Sequence, residues 1–355
     1  MNGVQPFMRR FLTRALLILL VLVGAGLTGY WYWAEQRLAA GFATWEADAR
    51  ARGWHIAHGT PGWGGWPLHA RLAIPDLAIA GATLAVPGGI AWDAQGLVLD
   101  VDLFAPPYRL SLIPDGPETL RLGHAAPLRI AAEALTASVL LQPGAVPAMD
   151  VNGRNVVIMP NGATAKNAVG IGLLQMHGDL PPAQGGKVLH FTASTEAISL
   201  PADRRWALGQ HMSSLSVEGT LGGLDGLRPA NAPSSAALAK SWRDAGGAFE
   251  IARLAIGWGP LGLSLRGKAG FDTDLQPDIA AETRIIGYAG TLQALARNGM
   301  ISPQAAGAAS AVLSLLAHTP ENGGPSEVDV PLHLQSGHLT VGGVPVAKIP
   351  PIMWN

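Results

Sequence analysis

Leu68-His69-Ala70-Arg71-Leu72-Ala73-Ile74 and Leu97-Val98-Leu99-Asp100-Val101-Asp102-Leu103 are the stretches whose reading decides the fold. In the first, Leu68, Ala70, Leu72 and Ile74 alternate with His69, Arg71 and Ala73. In the second, Leu97, Leu99, Val101 and Leu103 alternate with Asp100 and Asp102. Successive side chains of a strand point to opposite faces, so a period of two makes a strip with one apolar and one polar side. Further strands are expected at 54–58, 108–113, 127–142, 149–159, 167–179, 187–199 and 212–221, then at 248–258, 261–273, 278–286, 327–335 and 338–347. Turn formers such as Pro114-Asp115-Gly116 and Asn152-Gly153 punctuate them. The expected class is mostly β (α+β), a large curved antiparallel sheet.

Helices interrupt the pattern at defined places. Glu35 to Arg52 carries Leu38, Phe42 and Trp45 at helical spacing among Glu35, Arg37, Glu46, Asp48 and Arg50, and Gly53 ends it. Pro229 to Ser235 is a connector and Ala236 to Ala245 a short helix. Thr291 to Asn298 and Ser302 to His318 form a helical hairpin that packs on the sheet, with Ser302 as N-cap and Pro303 as first helical residue. Val312, Leu313, Leu315 and Leu316 are expected to supply core or to cover a sheet face.

Ahead of all this stands an apolar run. Arg9, Arg10 and Arg14 lead into Ala15 to Leu27, followed by Gly29 and Tyr30-Trp31-Tyr32-Trp33. About 19 residues at about 1.5 Å each approach the roughly 30 Å hydrocarbon core of a bilayer. Arginines before and aromatics after match the positive-inside rule and the interfacial belt. The expectation is one uncleaved transmembrane helix in a bacterial inner membrane, with a cytoplasmic N-terminus and a periplasmic bulk. Gly24-Ala25-Gly26 could serve a signal peptidase, but the aromatics that follow suit an anchor better. The organisation is then 1–33, cytoplasmic arm and anchor; 34–53, amphipathic helix; 54–227, β-rich; 228–247, connector with short helix; and 248–355, a second β-rich region holding the hairpin at 291–318.

Composition narrows the function. Net charge is −1, which offers nothing to nucleic acid. There is no Cys, hence no disulfide, thiolate metal site, Cys nucleophile or lipidated cysteine. Gly262-x-x-x-x-Gly267-Lys268 nearly spells a phosphate loop, but Ala269 replaces the required Ser/Thr and the context is a strand, so no nucleotide is expected. Gly24-x-Gly26-x-x-Gly29 lies in the apolar run, where it is packing and not a dinucleotide fingerprint. His55, His58 and His69 lack metal-ligand spacing, and Asp100 with Asp102 or Asp272 with Asp274 read as solvated strand faces. No cofactor, metal or catalytic residue is expected.

Several segments together resemble a bacterial family, domain of unknown function 2125. They are Gly65-Trp66-Pro67-Leu68 running into Leu72-x-Ile74-Pro75, Ala91-Trp92-x-Ala94, Trp206-x-Leu208-Gly209 and Trp242-Arg243-Asp244-x-Gly246-Gly247. Trp258-Gly259-Pro260-Leu261, Asp274-Leu275-Gln276-Pro277 and the tail from Val344 to Pro351 with Trp354 complete the set. The resemblance implies a membrane-tethered, mostly β envelope protein and carries over no catalytic residue. Trp66, Pro67, Trp92, Trp206, Trp242, Trp258, Pro260 and Trp354 put rings beside stiff turns. They are candidates either for structural plugs or for the mouth of an apolar groove. The expected function is non-enzymatic: binding or shielding of lipid or another amphiphile, or docking of an envelope protein.

Overall fold

The apolar run and the amphipathic stretch join into one helix, α1 (Gln5–Ala51). A computed structural model describes residues 5–83, 86–141, 146–183, 186–227, 234–320 and 323–354. Residues 1–4 of the expected arm and 228–233 of the expected connector lie outside the described residues. After α1 come β1 (His55–Ala57), β2 (Gly62–Gly64), β3 (His69–Gly81), β4 (Ile90–Asp102) and β5 (Arg109–Leu122). Then follow β6 (Leu128–Ala131), β7 (Ala134–Leu140), β8 (Ala148–Pro160) and β9 (Val169–Asp179). The small pair β10 (Pro182–Ala183) and β11 (Gly186–Lys187) precedes β12 (Leu189–Ser199) and β13 (His211–Leu221).

The second half holds α2 (Ser235–Asp244), β14 (Phe249–Trp258), β15 (Leu261–Phe271) and β16 (Pro277–Ile286). It closes with α3 (Tyr288–Arg297), α4 (Pro303–Leu316), β17 (Glu327–Gln335), β18 (His338–Val341) and β19 (Val344–Lys348). Among the described residues, and apart from the β10–β11 pair, the strands form one 17-stranded sheet. The pairing is antiparallel and mostly between chain neighbours: β3–β4–β5, β5 with β6 and β7, both onto β8, then β9, β12, β13 and onward to β19. The ladder passes across the 228–247 stretch, because β13 pairs directly with β14.

Two turn-forming motifs lie inside strands. Pro114-Asp115-Gly116 sits within β5, where the register to β4 shifts between Ala94 and Gly96 and Gly116 has φ +87°. Asn152-Gly153 sits mid-β8, close to Asn155 at φ 48°. In β5 a bulge asks for the same left-handed backbone as a tight hairpin turn, so local sequence does not separate the two; β8 keeps its register through Asn152-Gly153. Asp272, expected on a strand, follows β15 and caps a loop instead, its Oδ1 accepting from the amides of Asp274 and Gln276 at 2.9 and 2.8 Å.

The core lies where α1 crosses the first strands. Leu72, Ile74 and Leu77 of β3 are each 1% exposed, and with Leu97 and Leu99 of β4 they pack against Leu38, Phe42 and Ala49 of α1. Fully burying such a side chain contributes about 1.5–3 kcal/mol. The hairpin begins as expected, with Ser302 Oγ accepting from the Ala305 amide at 3.1 Å. Among the described residues its outer face covers nothing. Val312, Leu315 and Leu316 are exposed, Leu315 by 86%, and Leu313 is only half-buried. The helical repeat places these four around more than one face, and the contact with α3 and β17 uses the small side of α4, where Ala306 is buried.

Candidate functional site

Between α1 and the sheet runs an apolar groove of about 650 Å³, within the range of small-ligand sites. Its helix wall is Tyr30, Trp33, Ala34, Leu38, Phe42 and Trp45. Its floor is Ala70 and Leu77 of β3, Leu97, Leu99 and Val101 of β4, and Leu110 and Leu112 of β5. Val139 of β7 and Met149 of β8 close the far side. Arg37 is the one charged side chain in the lining; its guanidinium lies 5.5 Å from the Trp33 ring centre, and among the described residues it has no ion pair.

The groove exists because α1 is held to the start of β3. Trp31 Nε1 donates to the His69 carbonyl at 2.9 Å, and one turn later Glu35 Oε1 accepts from the Arg71 amide at 2.6 Å. Both partners are backbone groups of β3 beside the β2–β3 turn. Glu35 has no exposed surface, and among the described residues its Oε2 has no hydrogen-bond partner. Burial pushes its carboxyl above the usual range, opposed by the amides of Arg71 and Gly64. Its charge alone assigns Glu35 to the polar side of an amphipathic helix. The spacing Trp31, Glu35, Leu38, Phe42 was the signal that it belongs to the inward stripe. Glu118 is pushed up by burial too, against a 2.6 Å bond from Trp92 Nε1.

At the groove's N-terminal end the helix leaves the domain. Leu16 to Leu22 are 57–66% exposed to their surroundings, and α1 contains one stretch long and apolar enough to cross a membrane. Around the end of that stretch stands a ring of exposed aromatics drawn from several elements. Tyr32 meets Trp63 at 5.8 Å, Tyr30 meets Phe104 at 6.3 Å, and Trp66 Nε1 donates to Thr28 Oγ1 at 3.2 Å. Composition favours such rings at a membrane–water boundary.

The other aromatic candidates sit elsewhere. Trp206 and Trp258 tilt together at 5.9 Å, and their indoles donate to the carbonyls of Pro201 and Gly209. Trp242, 3% exposed, and Trp354 both meet the edge of Phe271, and donate to Gly222 and Leu275. Pro260 lies exposed in the β14–β15 turn, and Pro67 half-buried in the turn after β2. None of the eight lines the groove. Its own residues were readable one at a time, as belt, helix stripe and strand face, and only packing brings them together.

Polar groups form separate pairs. His58 meets Glu46 at 2.9 Å and His69 meets Asp100 at 3.0 Å. His318, Glu327 and Asp329 could converge on a metal ion, but Arg284 already lies 3.3 Å from Glu327 and 3.1 Å from Asp329. The positive charge such a trio would recruit is therefore present, and the cluster closes as an ion-pair network.

Fold and site together define a β-rich protein with an N-terminal apolar helix seated on its own sheet. Residues 31–350 match the model of a family described as an uncharacterized protein conserved in bacteria (DUF2125), and the chain belongs to that family. No curated protein and no solved structure matches the chain.

Proposed function

We propose that this is a non-enzymatic, membrane-anchored protein that takes the apolar part of a membrane amphiphile into the groove beneath α1. The carrying observation is the position of that groove: it begins at Tyr30 and Trp33, where the apolar half of α1 ends. An acyl chain leaving a bilayer at that level would pass from one apolar medium to another without crossing water. Arg37 and the Tyr30–Tyr108 side-chain pair stand at the rim, suited to a polar or anionic head group. The arginines at 9, 10 and 14 support a cytoplasmic N-terminus, which puts the sheet on the periplasmic side.

Gly41 gives the test. It lies on the groove wall in mid-helix, and a Cβ added there meets nothing within 4 Å, so the backbone accepts a side chain that then projects into the groove. The full chain, extracted from native membranes and analysed by mass spectrometry, should carry an amphiphile near one per protein. Gly41→Trp should fold normally and lose most of it. A lipid-free wild-type chain would sink this reading. Docking of an envelope protein, for which the exposed face of α4 speaks, would then be the one to pursue.

A further inference from the structure

The groove floor does not stop at the edge of α1. Following cross-strand partners outward from it, one row runs Val139, Met149, Gly178, Phe191, Gly219 and Ile251. The next runs Val151, Met176, Ala193, Val217, Leu254 and Leu265. A third continues through Leu174, Leu215, Ile256 and Leu263, with Thr195 its one polar member. The opposite face of the same strands reads Asp150, His177, Thr192, Glu218 and Arg253. The phase is kept across strand after strand although bulges interrupt β13 and β14. A sheet with both faces in water has no need of such a face.

Its middle is open. Met149, Met176 and Leu215 are 48, 45 and 36% exposed. Beyond them the face is covered again, with Ile251 and Val330 9% and Val328 0% exposed.

We infer that this open face is a track for the acyl chains of a membrane lipid, continuous with the groove and leading away from the bilayer along the sheet. The inference rests on the groove reading. Three observations favour lipid as the occupant. The rows begin with Val139 and Met149, which are themselves groove wall. They contain no charged side chain to direct a protein partner. The chain carries its own apolar span, so the nearest apolar matter to the groove mouth is bilayer. At about 4.8 Å per strand the groove and open face, from β3 to β13, together cover roughly 34 Å, longer than one extended acyl chain, so successive positions along it would be occupied in transit. The pliable thioethers of Met149 and Met176 suit chains of varying shape.

Photocrosslinking tests the track separately from the groove. The full chain is reconstituted in phosphatidylethanolamine–phosphatidylglycerol vesicles containing a radiolabelled dipalmitoyl phospholipid. A photoactivatable phenylalanine replaces Leu103 in the groove end, Met176 or Leu215 in the open face, or His177 on the polar face. Label is expected at 103, 176 and 215 and not at 177. Adding Met176→Arg to the Leu215 probe should cut label at 215 about tenfold or more, because a charge in the path must be desolvated. The same change should leave label at 103 intact. Label at 103 alone would overturn the track and keep the groove; label nowhere would overturn both. Equal label at 177 and 176 would mean nonspecific contact with the vesicle, and would overturn the track as well.

Discussion

Under α1, Leu72 and Ile74 of β3 keep 1% of their surface, whereas Met176 of β9 and Leu215 of β13, on the same face of the same sheet, keep 45 and 36%. The residues are alike in chemistry and phase. What differs is the cover, a helix that arrives from the apolar N-terminal span at one end and is absent from the middle strands. Burial in this molecule is therefore a property of where a helix lies, and an apolar strand face is by itself no guarantee of core.

That contrast can be broken most directly by truncation. Leu72→Ala should cost about 2–5 kcal/mol, while Leu215→Ala should stay within about 0.5–1 kcal/mol. Urea midpoints at constant slope measure both. Equal losses would mean that something covers the middle of the sheet as fully as α1 covers its start.

A second measurement sharpens the same contrast from the helix side. Glu35 is held in place by sheet amides at the covered end, and burial raises its carboxyl. A raised folded value means the folded state holds the proton more tightly than the unfolded chain. This contribution is present below the ordinary glutamate range, about 4.3, and is lost as pH rises through the raised value. Glu35→Gln should flatten that fall. Glu118 shifts the same way and remains, so some slope should persist. A variant with the wild-type slope would show that Glu35 does not titrate with folding.

The smallest effect belongs to the polar face. His177 meets Asp150 at 2.7 Å with both side chains a third or more exposed, and the carboxylate's hydrogen bond raises the imidazole. Solvent screening discounts the pair, so His177→Ala should cost no more than about 0.5 kcal/mol, read by the same urea midpoints. A loss matching that of Leu72→Ala would remove the distinction between the faces.

Much of this was legible locally. The alternation at 68–74 and 97–103, the Ser302–Pro303 helix start and the apolar run from Ala15 each depend on neighbours within a few residues, where propensity and period act. Pro114-Asp115-Gly116 misled because a bulge and a turn share their backbone requirement. Glu35 misled because a carboxylate is ordinarily a surface group, and its partners, the amides of Arg71 and Gly64, are long-range. The sequence by itself determined the class of fold, the apolar helix and the two-faced strands. Only the tertiary structure decided that α1 lies across β3 to β5, that a groove of about 650 Å³ remains beneath it, and that the apolar rows stay in phase beyond it. Register and helix placement are set by contacts between residues far apart in the chain, which no local period encodes.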